Sequence, residues 1–176
     1  MTTVPVTPAI DFAGWITAHE HLLKPPVNNK QVFDGAGDLV VMVVGGPNQR
    51  TDYHVDPYEE LFYQIKGNMH VNVVTENGPE TIHIREGQMW LLPAFTPHSP
   101  QRPEEGSIGL VVEKVREEGT LERFQWYCQN CGSLVYEVEL QVRSIVDDLP
   151  RTFNEFYANE AAHTCANCGA VHPGKG

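Results

Sequence analysis

The architecture of the chain follows from two motifs, Arg50-Thr-Asp-Tyr-His-Val-Asp-Pro-Tyr-Glu-Glu-Leu-Phe-Tyr-Gln-Ile-Lys-Gly67 and Glu86-Gly-Gln-Met-Trp-Leu-Leu-Pro-Ala-Phe-Thr-Pro-His-Ser-Pro-Gln-Arg102. Two histidines and a carboxylate on separate strands are the ligand set of a facial metal site. Such a site leaves positions open on Fe(II) for a substrate and for dioxygen. We therefore predict that His54, Glu60 and His98 bind a catalytic iron.

Each predicted histidine ligand has an arginine close to it in sequence. Arg50 precedes His54 by four residues, and Arg102 follows His98 by four. A guanidinium group binds a carboxylate through two parallel hydrogen bonds, so arginines in these places favour a small anionic substrate. Either arginine alone is also compatible with an ordinary surface ion pair.

Composition narrows the class of protein. The 176 residues suit one domain with a small appendage, and the formal net charge of −11 disfavours binding to nucleic acid. No apolar run approaches the roughly 20 residues that cross a bilayer, and the N-terminus lacks the pattern of a signal peptide. We therefore expect no membrane partner and a cytoplasmic location, where cysteines serve as metal ligands more often than as disulfides.

The chain reads as a series of short apolar runs separated by turn residues, which is typical of an all-β sandwich or barrel. Flanking helices are predicted over residues 9–22, with Asp11 as the N-cap, and over Arg151–Ala161. The pair Asn77-Gly78 predicts a two-residue hairpin. A boundary near residue 118 divides a catalytic barrel with its N-terminal helix, 1–118, from a C-terminal segment, 119–176, made of a strand, a short helix and a metal-binding tail.

Four cysteines form two C-x2-C pairs, and a glycine follows each pair. Thiolate sites of this type bind zinc or iron in a tetrahedral arrangement, and the spacing does not choose between the two metals. We predict a second metal site at Cys128, Cys131, Cys165 and Cys168. His163 and His172 flank the second pair and are rival ligands.

The two motifs resemble those of the cupin superfamily, G-x5-H-x-H-x3,4-E-x6-G and G-x5-P-x-G-x2-H-x3-N. The spacing from Glu60 to Gly67 fits the first motif and favours Glu60 over Glu59 as the ligand. Asp56 stands where the motif has its second histidine, which reduces four ligands to three. The resemblance implies a jelly-roll barrel with a few short helices. Asp56, like Asp52, is expected beside the site or at the surface.

The residues around these motifs, together with the two cysteine pairs, resemble the sequences of the bacterial 3-hydroxyanthranilate 3,4-dioxygenases. This resemblance implies that Arg50 and Arg102 hold the substrate carboxylate and that Glu113 contacts its amine or hydroxyl end. Further positions implied to contact or enclose the substrate are Val27, Asn29 and Glu60. It also implies a rubredoxin-like iron at the cysteines, a homodimer, and ring opening of 3-hydroxyanthranilate by O2 to 2-amino-3-carboxymuconate semialdehyde. This product is the quinolinate precursor on the route from tryptophan to NAD.

Two other functions remain open at this stage. One is a cupin dioxygenase that acts on a different aromatic carboxylate, such as another aminophenol or a gentisate-like acid. The other is a non-catalytic metal-binding cupin that senses an anionic aromatic molecule. Open metal positions beside two arginines favour an enzyme, because a simple binding protein has no need of a redox metal.

Overall fold

The computed structural model describes residues 8–25, 28–33, 37–143 and 145–174, and for residues 145–147 it describes the backbone only. Two antiparallel sheets pack face to face. The first has five strands in the order β1-β2-β9-β4-β7, and the second has six in the order β11-β10-β3-β8-β5-β6. The predicted all-β jelly roll with few short helices is confirmed. Among the described residues, no helix is long and apolar enough to span a bilayer.

The bounds of the elements are as follows. The first sheet contains β1 (Asn29–Gln31), β2 (Leu39–Gly45), β4 (Glu60–Lys66), β7 (Met89–Leu92) and β9 (Ile108–Lys114). The second contains β3 (Asp52–Val55), β5 (Met69–Thr75), β6 (Gly78–Ile84), β8 (His98–Gln101), β10 (Glu122–Tyr127) and β11 (Leu134–Leu140). The helices are α1 (Phe12–His19) and α2 (Ile145–Ala158), each followed by a 3-10 turn, Glu20–Leu22 and Glu160–His163.

The core between the sheets is built by the alternation of side chains along each strand. Seven buried residues form it: Phe62, Met69, Val71, Val73, Ile84, Leu92 and Val111. Successive residues of a strand point to opposite faces, so every second position of β4, β5 and β9 lies in this layer. The same alternation brings polar residues of these strands into the space between the sheets, where the candidate site is found.

The predicted hairpin is present, but its loop lies one residue earlier. Thr75 pairs with Gly78, so Glu76 and Asn77 are the two loop residues and Gly78 opens β6. Gly78 adopts a φ of +108°, a value that disfavours residues with a side chain. The first helix is also confirmed, since the Asp11 carboxylate accepts the Gly14 amide N–H at 3.1 Å.

The second helix differs from the prediction in its bounds. It was expected over Arg151–Ala161, but α2 begins at Ile145 and ends at Ala158, with Pro150 inside it. Leu149, Phe153 and Phe156 recur at helical spacing and pack with the buried Trp126 in a second apolar cluster. Burial of side chains this large stabilises by about 1.5–3 kcal/mol each, which offsets the hydrogen bond that the proline cannot make.

The division at residue 118 stays a prediction. β10 and β11 lie after it, and β10 pairs with β3 through Phe124 and His54. The C-terminal segment therefore extends the sheet that carries a predicted metal ligand, and α2 and the cysteine tail pack beside it.

Candidate active site

Strand register brings the predicted ligands together from both sheets. In the second sheet, His54 of β3 is the direct neighbour of His98 of β8. In the first sheet, Glu60 of β4 is the direct neighbour of Glu113 of β9. Direct neighbours in antiparallel strands point to the same face. All four side chains are buried and line a cavity of about 170 Å³ between the sheets.

Glu60 and His98 form the closest contact of this group. His98 Nε2 lies 3.0 Å from Glu60 Oε2. His98 Nδ1 lies 3.0 Å from the Thr96 carbonyl oxygen, so Nδ1 carries a proton and donates it. With Nδ1 protonated, Nε2 of a neutral ring offers a lone pair towards the carboxylate. Two such acceptors are held together by a shared proton or by a metal ion.

The donor set fits a metal ion at this place. Two ligand atoms bound to one ion at about 2.1 Å, at right angles, lie about 3 Å apart, as these two atoms do. Burial raises the pKa of Glu60, but a proton on His98 Nε2 lowers it through a hydrogen bond and its charge, and the net direction is down. A metal ion in place of that proton would also favour the ionised carboxylate. Burial lowers the pKa of His54 and so favours its neutral, metal-binding form.

His54 completes the group but makes a further contact. Its ring lies 5.2 Å from the ring of His98, centroid to centroid, while its Nε2 lies 2.6 Å from Glu122 Oε2. The ring also stacks on Phe124, with centroids 4.8 Å apart and an angle of 9° between the planes. Binding of a metal through Nδ1 keeps the bond to Glu122, whereas binding through Nε2 requires the ring to turn.

The two arginines differ in their partners. Arg50 is paired with Asp52, whose Oδ1 accepts the Nε proton at 3.2 Å. Arg102 is almost fully buried, and its Nε and Nη2 have no hydrogen-bond partner among the described residues. Burial lowers the pKa of Arg102 to about 10. An unpaired buried guanidinium group at the cavity wall fits a carboxylate ligand.

Three residues that the sequence did not single out support these arginines. The Gln101 side chain accepts a hydrogen bond from the backbone N–H of Arg50 at 3.2 Å and donates one to the Arg50 carbonyl at 2.9 Å. Asn48 and Arg102 exchange backbone hydrogen bonds of 2.8 Å. A Cβ at Gly109 would lie 3.0 Å from Arg102 Nη2, so this glycine makes room for the guanidinium group.

Carboxylates at and beside the cavity form a network around Arg116, which the sequence also did not reveal. Arg116 Nη1 donates to Glu113 Oε1 at 2.9 Å, and Nε donates to Glu122 Oε1 at 2.6 Å. Asp56 Oδ2 lies 3.9 Å from Arg116 Nη2. His54, Asp56 and Glu122 could hold a cation by their spacing, but Arg116 already provides one. Asp52 and Asp56, expected beside the site or at the surface, are both buried.

Two further residues, Asn29 and Val27, were predicted to contact or enclose the substrate. Asn29 lines the cavity, as do the apolar side chains of Val44, Pro100 and Leu149, which help to exclude water. Val27 lies outside the described residues.

The four cysteines converge beyond the end of β10. Sγ atoms of Cys128 and Cys168 lie 3.5 Å apart, and those of Cys131 and Cys165 lie 3.6 Å apart. Thiolates bound tetrahedrally at about 2.3 Å lie about 3.8 Å apart, so the group fits one metal ion. The rival His163 is engaged elsewhere, with its Nε2 3.0 Å from the Phe156 carbonyl oxygen.

The two cysteine loops have matching conformations. Gly132 and Gly169 have φ values of +72° and +73°, and each N–H donates to the carbonyl of the first cysteine of its own pair. Asn130 Nδ2 donates to Cys168 Sγ across the site, and Asn167 Nδ2 donates to Cys131 Sγ, both at 3.6 Å. The sequence shows these asparagines at equal places, one residue before the second cysteine of each pair.

Comparison with known proteins gives a consistent result. Residues 4–157 match the family model described as 3-hydroxyanthranilic acid dioxygenase. The chain is 56% identical over 167 residues to 3-hydroxyanthranilate 3,4-dioxygenase of Jannaschia sp., covering 95% of this chain and 92% of that one. It is 53% identical over 165 residues to the enzyme of the same name from Burkholderia lata, covering 94% of each.

A solved structure, a cupin-2 domain containing protein from Shewanella frigidimarina, is 15% identical, with a TM-score of 0.48 over 60% of this chain and 94% of that one. The family match and the curated relatives span nearly the whole chain. The chain belongs to the 3-hydroxyanthranilate 3,4-dioxygenase family.

Proposed function

We propose that this protein opens the ring of 3-hydroxyanthranilate with O2 to give 2-amino-3-carboxymuconate semialdehyde, the precursor of quinolinate. Membership of the family and the names of its relatives support this reaction. The structural observation that carries the proposal is Arg102, buried beside two histidines and Glu60 with unpaired N–H groups. A small aromatic carboxylate would satisfy them.

Arg102 and Arg50 bind the substrate carboxylate. Arg102 presents free N–H groups, while the contact with Asp52 fixes the direction of the Arg50 guanidinium group. Hydrogen bonds between charged partners contribute about 1.5–3 kcal/mol each. The carboxylate, once fixed, orients the ring within the cavity and directs its amino and hydroxyl groups towards Glu113 and Glu60.

Glu113 takes the proton of the substrate hydroxyl group. Burial raises its pKa to about 7, while Arg116 opposes this shift. A base with a pKa near neutrality combines a populated ionised form with useful proton affinity. One oxygen of Glu113 accepts a hydrogen bond from Arg116, which leaves the other for the substrate.

The cofactor is a metal ion, and we propose that it is Fe(II) held by His54, Glu60 and His98. When bound, Fe(II) supplies the redox chemistry that lets O2 react with the electron-rich ring. Glu60 lies beside both the metal position and Glu113, so it also limits where the substrate can sit. The apolar walls of the cavity exclude water from the reacting groups.

For the cysteine group we propose a second iron, with zinc as the alternative. Its four sulfurs are well placed for one tetrahedral ion, and none of the four cysteines lines the cavity. Its role is to tie the loop after β10 to the tail that follows α2.

We also propose a homodimer that forms through the outer face of the first sheet. Across four strands of this face, Val41, Val112, Leu61 and Leu91 are direct neighbours in register. Leu91 is 51% exposed and the nearby Met89 is 65% exposed. An apolar row of this kind is costly in water and favours coverage by a second copy. We propose further that the protein acts in the cytoplasm and does not bind nucleic acid, since its net charge of −11 repels phosphate groups.

Oxygen consumption tests the proposed reaction against its alternatives. Protein reconstituted with Fe(II) should consume one O2 per molecule of 3-hydroxyanthranilate. Oxygen consumption should be far slower with a gentisate-like acid or with 2-aminophenol, which lacks the carboxylate. Faster consumption with another aromatic acid would reassign the substrate. No consumption with any of them would favour the sensing protein.

A further inference from the structure

Arg116 is a partly buried cation that bonds a carboxylate from each sheet without lining the catalytic cavity. It follows β9 in the chain, and 18% of its side chain is exposed. Its guanidinium group bonds Glu113, on the substrate side, and Glu122, which holds His54, a predicted metal ligand. No role for this residue follows from the two motifs or from the proposed binding of the substrate.

The hydrogen bonds divide each carboxylate between two tasks. Glu122 gives Oε1 to Arg116 and Oε2 to His54, at 2.6 Å in both cases. Glu113 accepts the Arg116 hydrogen bond through Oε1, which leaves Oε2 available to a ligand in the cavity that Glu113 lines. Because the guanidinium plane fixes the directions of its N–H groups, it sets the rotation of both carboxylates at once. A point charge such as an ammonium group does not impose this geometry.

Charge points to the same conclusion. Glu113, Glu122 and Asp56 are all buried, and Glu60 is buried beside Glu113. Carboxylates so close together repel one another, and among the described residues Arg116 is the cation that reaches three of them. Without it, the Glu113 side chain would be free to turn away from its buried neighbours.

We propose that Arg116 is a positioning residue for the ring-opening reaction, which orients Glu113 towards the substrate and holds His54 through Glu122. This inference rests on the proposed function of Glu113. Arg116 is not a catalytic residue, since it acts on the substrate only through the carboxylate that it holds. The alternative is an ion pair that contributes to folding alone.

A double-mutant cycle distinguishes a positioning role of Arg116 from an ion pair that contributes to folding alone. Arg116→Met, Arg116→Lys and Glu113→Gln are compared with the double variant Glu113→Gln/Arg116→Met, measuring kcat, KM, iron per chain and Tm. The control is Arg123→Met, which removes an exposed ion pair with Glu137 from the same region. All rates are divided by the iron bound in the cavity, so that loss of metal is not read as loss of positioning.

We expect Arg116→Met to lower kcat about 10- to 100-fold per bound iron, with a smaller change in KM, and Arg116→Lys to recover part of the loss. When Arg116→Met is added to Glu113→Gln, we expect kcat to fall by less than about threefold relative to Glu113→Gln alone. An equal loss in both backgrounds, or a wild-type kcat per bound iron, would overturn the inference.

If Arg116→Met does not fold, Arg116→Lys takes its place in the cycle. Turnover of 3-hydroxyanthranilate by the wild type in the same assay keeps this result separate from the proposed function. A wild type without turnover would refute the reaction itself, whatever the variants do.

Discussion

The carboxylate of Glu60 and the imidazole of His98 meet between the two sheets, with Oε2 and Nε2 3.0 Å apart. They come from strands of different sheets, so the contact exists only in the folded sandwich. Because Thr96 accepts the proton of His98 Nδ1, the nitrogen that faces Glu60 is the one suited to a metal.

The first prediction concerns metal content. His98→Ala or Glu60→Ala should each reduce bound iron by about one equivalent per chain, because removal of one ligand of a buried three-ligand site costs most of its affinity. Metal at the four cysteines should not change. Elemental analysis of the purified variants measures this, with His83→Ala, an exposed histidine, as the control. Full iron content in His98→Ala would place the catalytic metal elsewhere.

The second prediction concerns Arg102. Arg102→Met should lower kcat/KM about 10- to 100-fold, since it removes charge-assisted bonds to the substrate carboxylate. The substrate-free variant should be at least as stable as the wild type, because the buried guanidinium group has unpaired N–H groups that cost free energy. Kinetics and thermal melts measure both effects. A large fall in Tm would show that Arg102 serves the fold instead. Exposed Arg85 offers the matched control, Arg85→Met.

The third prediction concerns pH. Glu113 must be ionised to accept the hydroxyl proton, and burial raises its pKa to about 7. Activity should therefore be low below pH 6, rise as pH increases through about 7, and then level off. In Glu113→Gln this rise should vanish and turnover should fall by about 100-fold or more, with iron content intact. A pH profile that keeps its rise in the variant would remove Glu113 from the role of base.

The fourth prediction concerns the cysteine site. The double variant Asn130→Ala/Asn167→Ala should lose this metal to a chelator about tenfold faster, because two N–H groups that stabilise the thiolates are removed. Gln129→Ala, an exposed neighbour without such a bond, should behave as the wild type. Chelator competition followed by absorbance measures the rate. Equal rates in all three proteins would show that the asparagines do not support the metal.

Much of the site was predictable because its motifs are local. The spacing around Glu60 and Gly67 and the regular alternation of apolar residues indicate both the strands and the ligands. The strand interior also contained an unused signal: Gly109 between two apolar residues marks a place where another group approaches closely.

The network of Arg116 was not predictable, because it depends on which strands become neighbours. Glu122 reaches His54 only because β10 pairs with β3, and sequence spacing carries no record of that pairing. The early start of α2 has a similar origin. Its apolar residues gain more from packing on Trp126 than Pro150 costs, and this balance is set by tertiary contacts.

One measurement tests the central claim most directly. Protein reconstituted anaerobically with Fe(II) is mixed with 3-hydroxyanthranilate, air is admitted, and the absorbance of the muconate semialdehyde is followed. We predict a product band that rises and then decays as quinolinate forms, and no band with His98→Ala. Absence of the band in wild-type protein that carries iron at both sites would contradict the assignment of substrate and reaction.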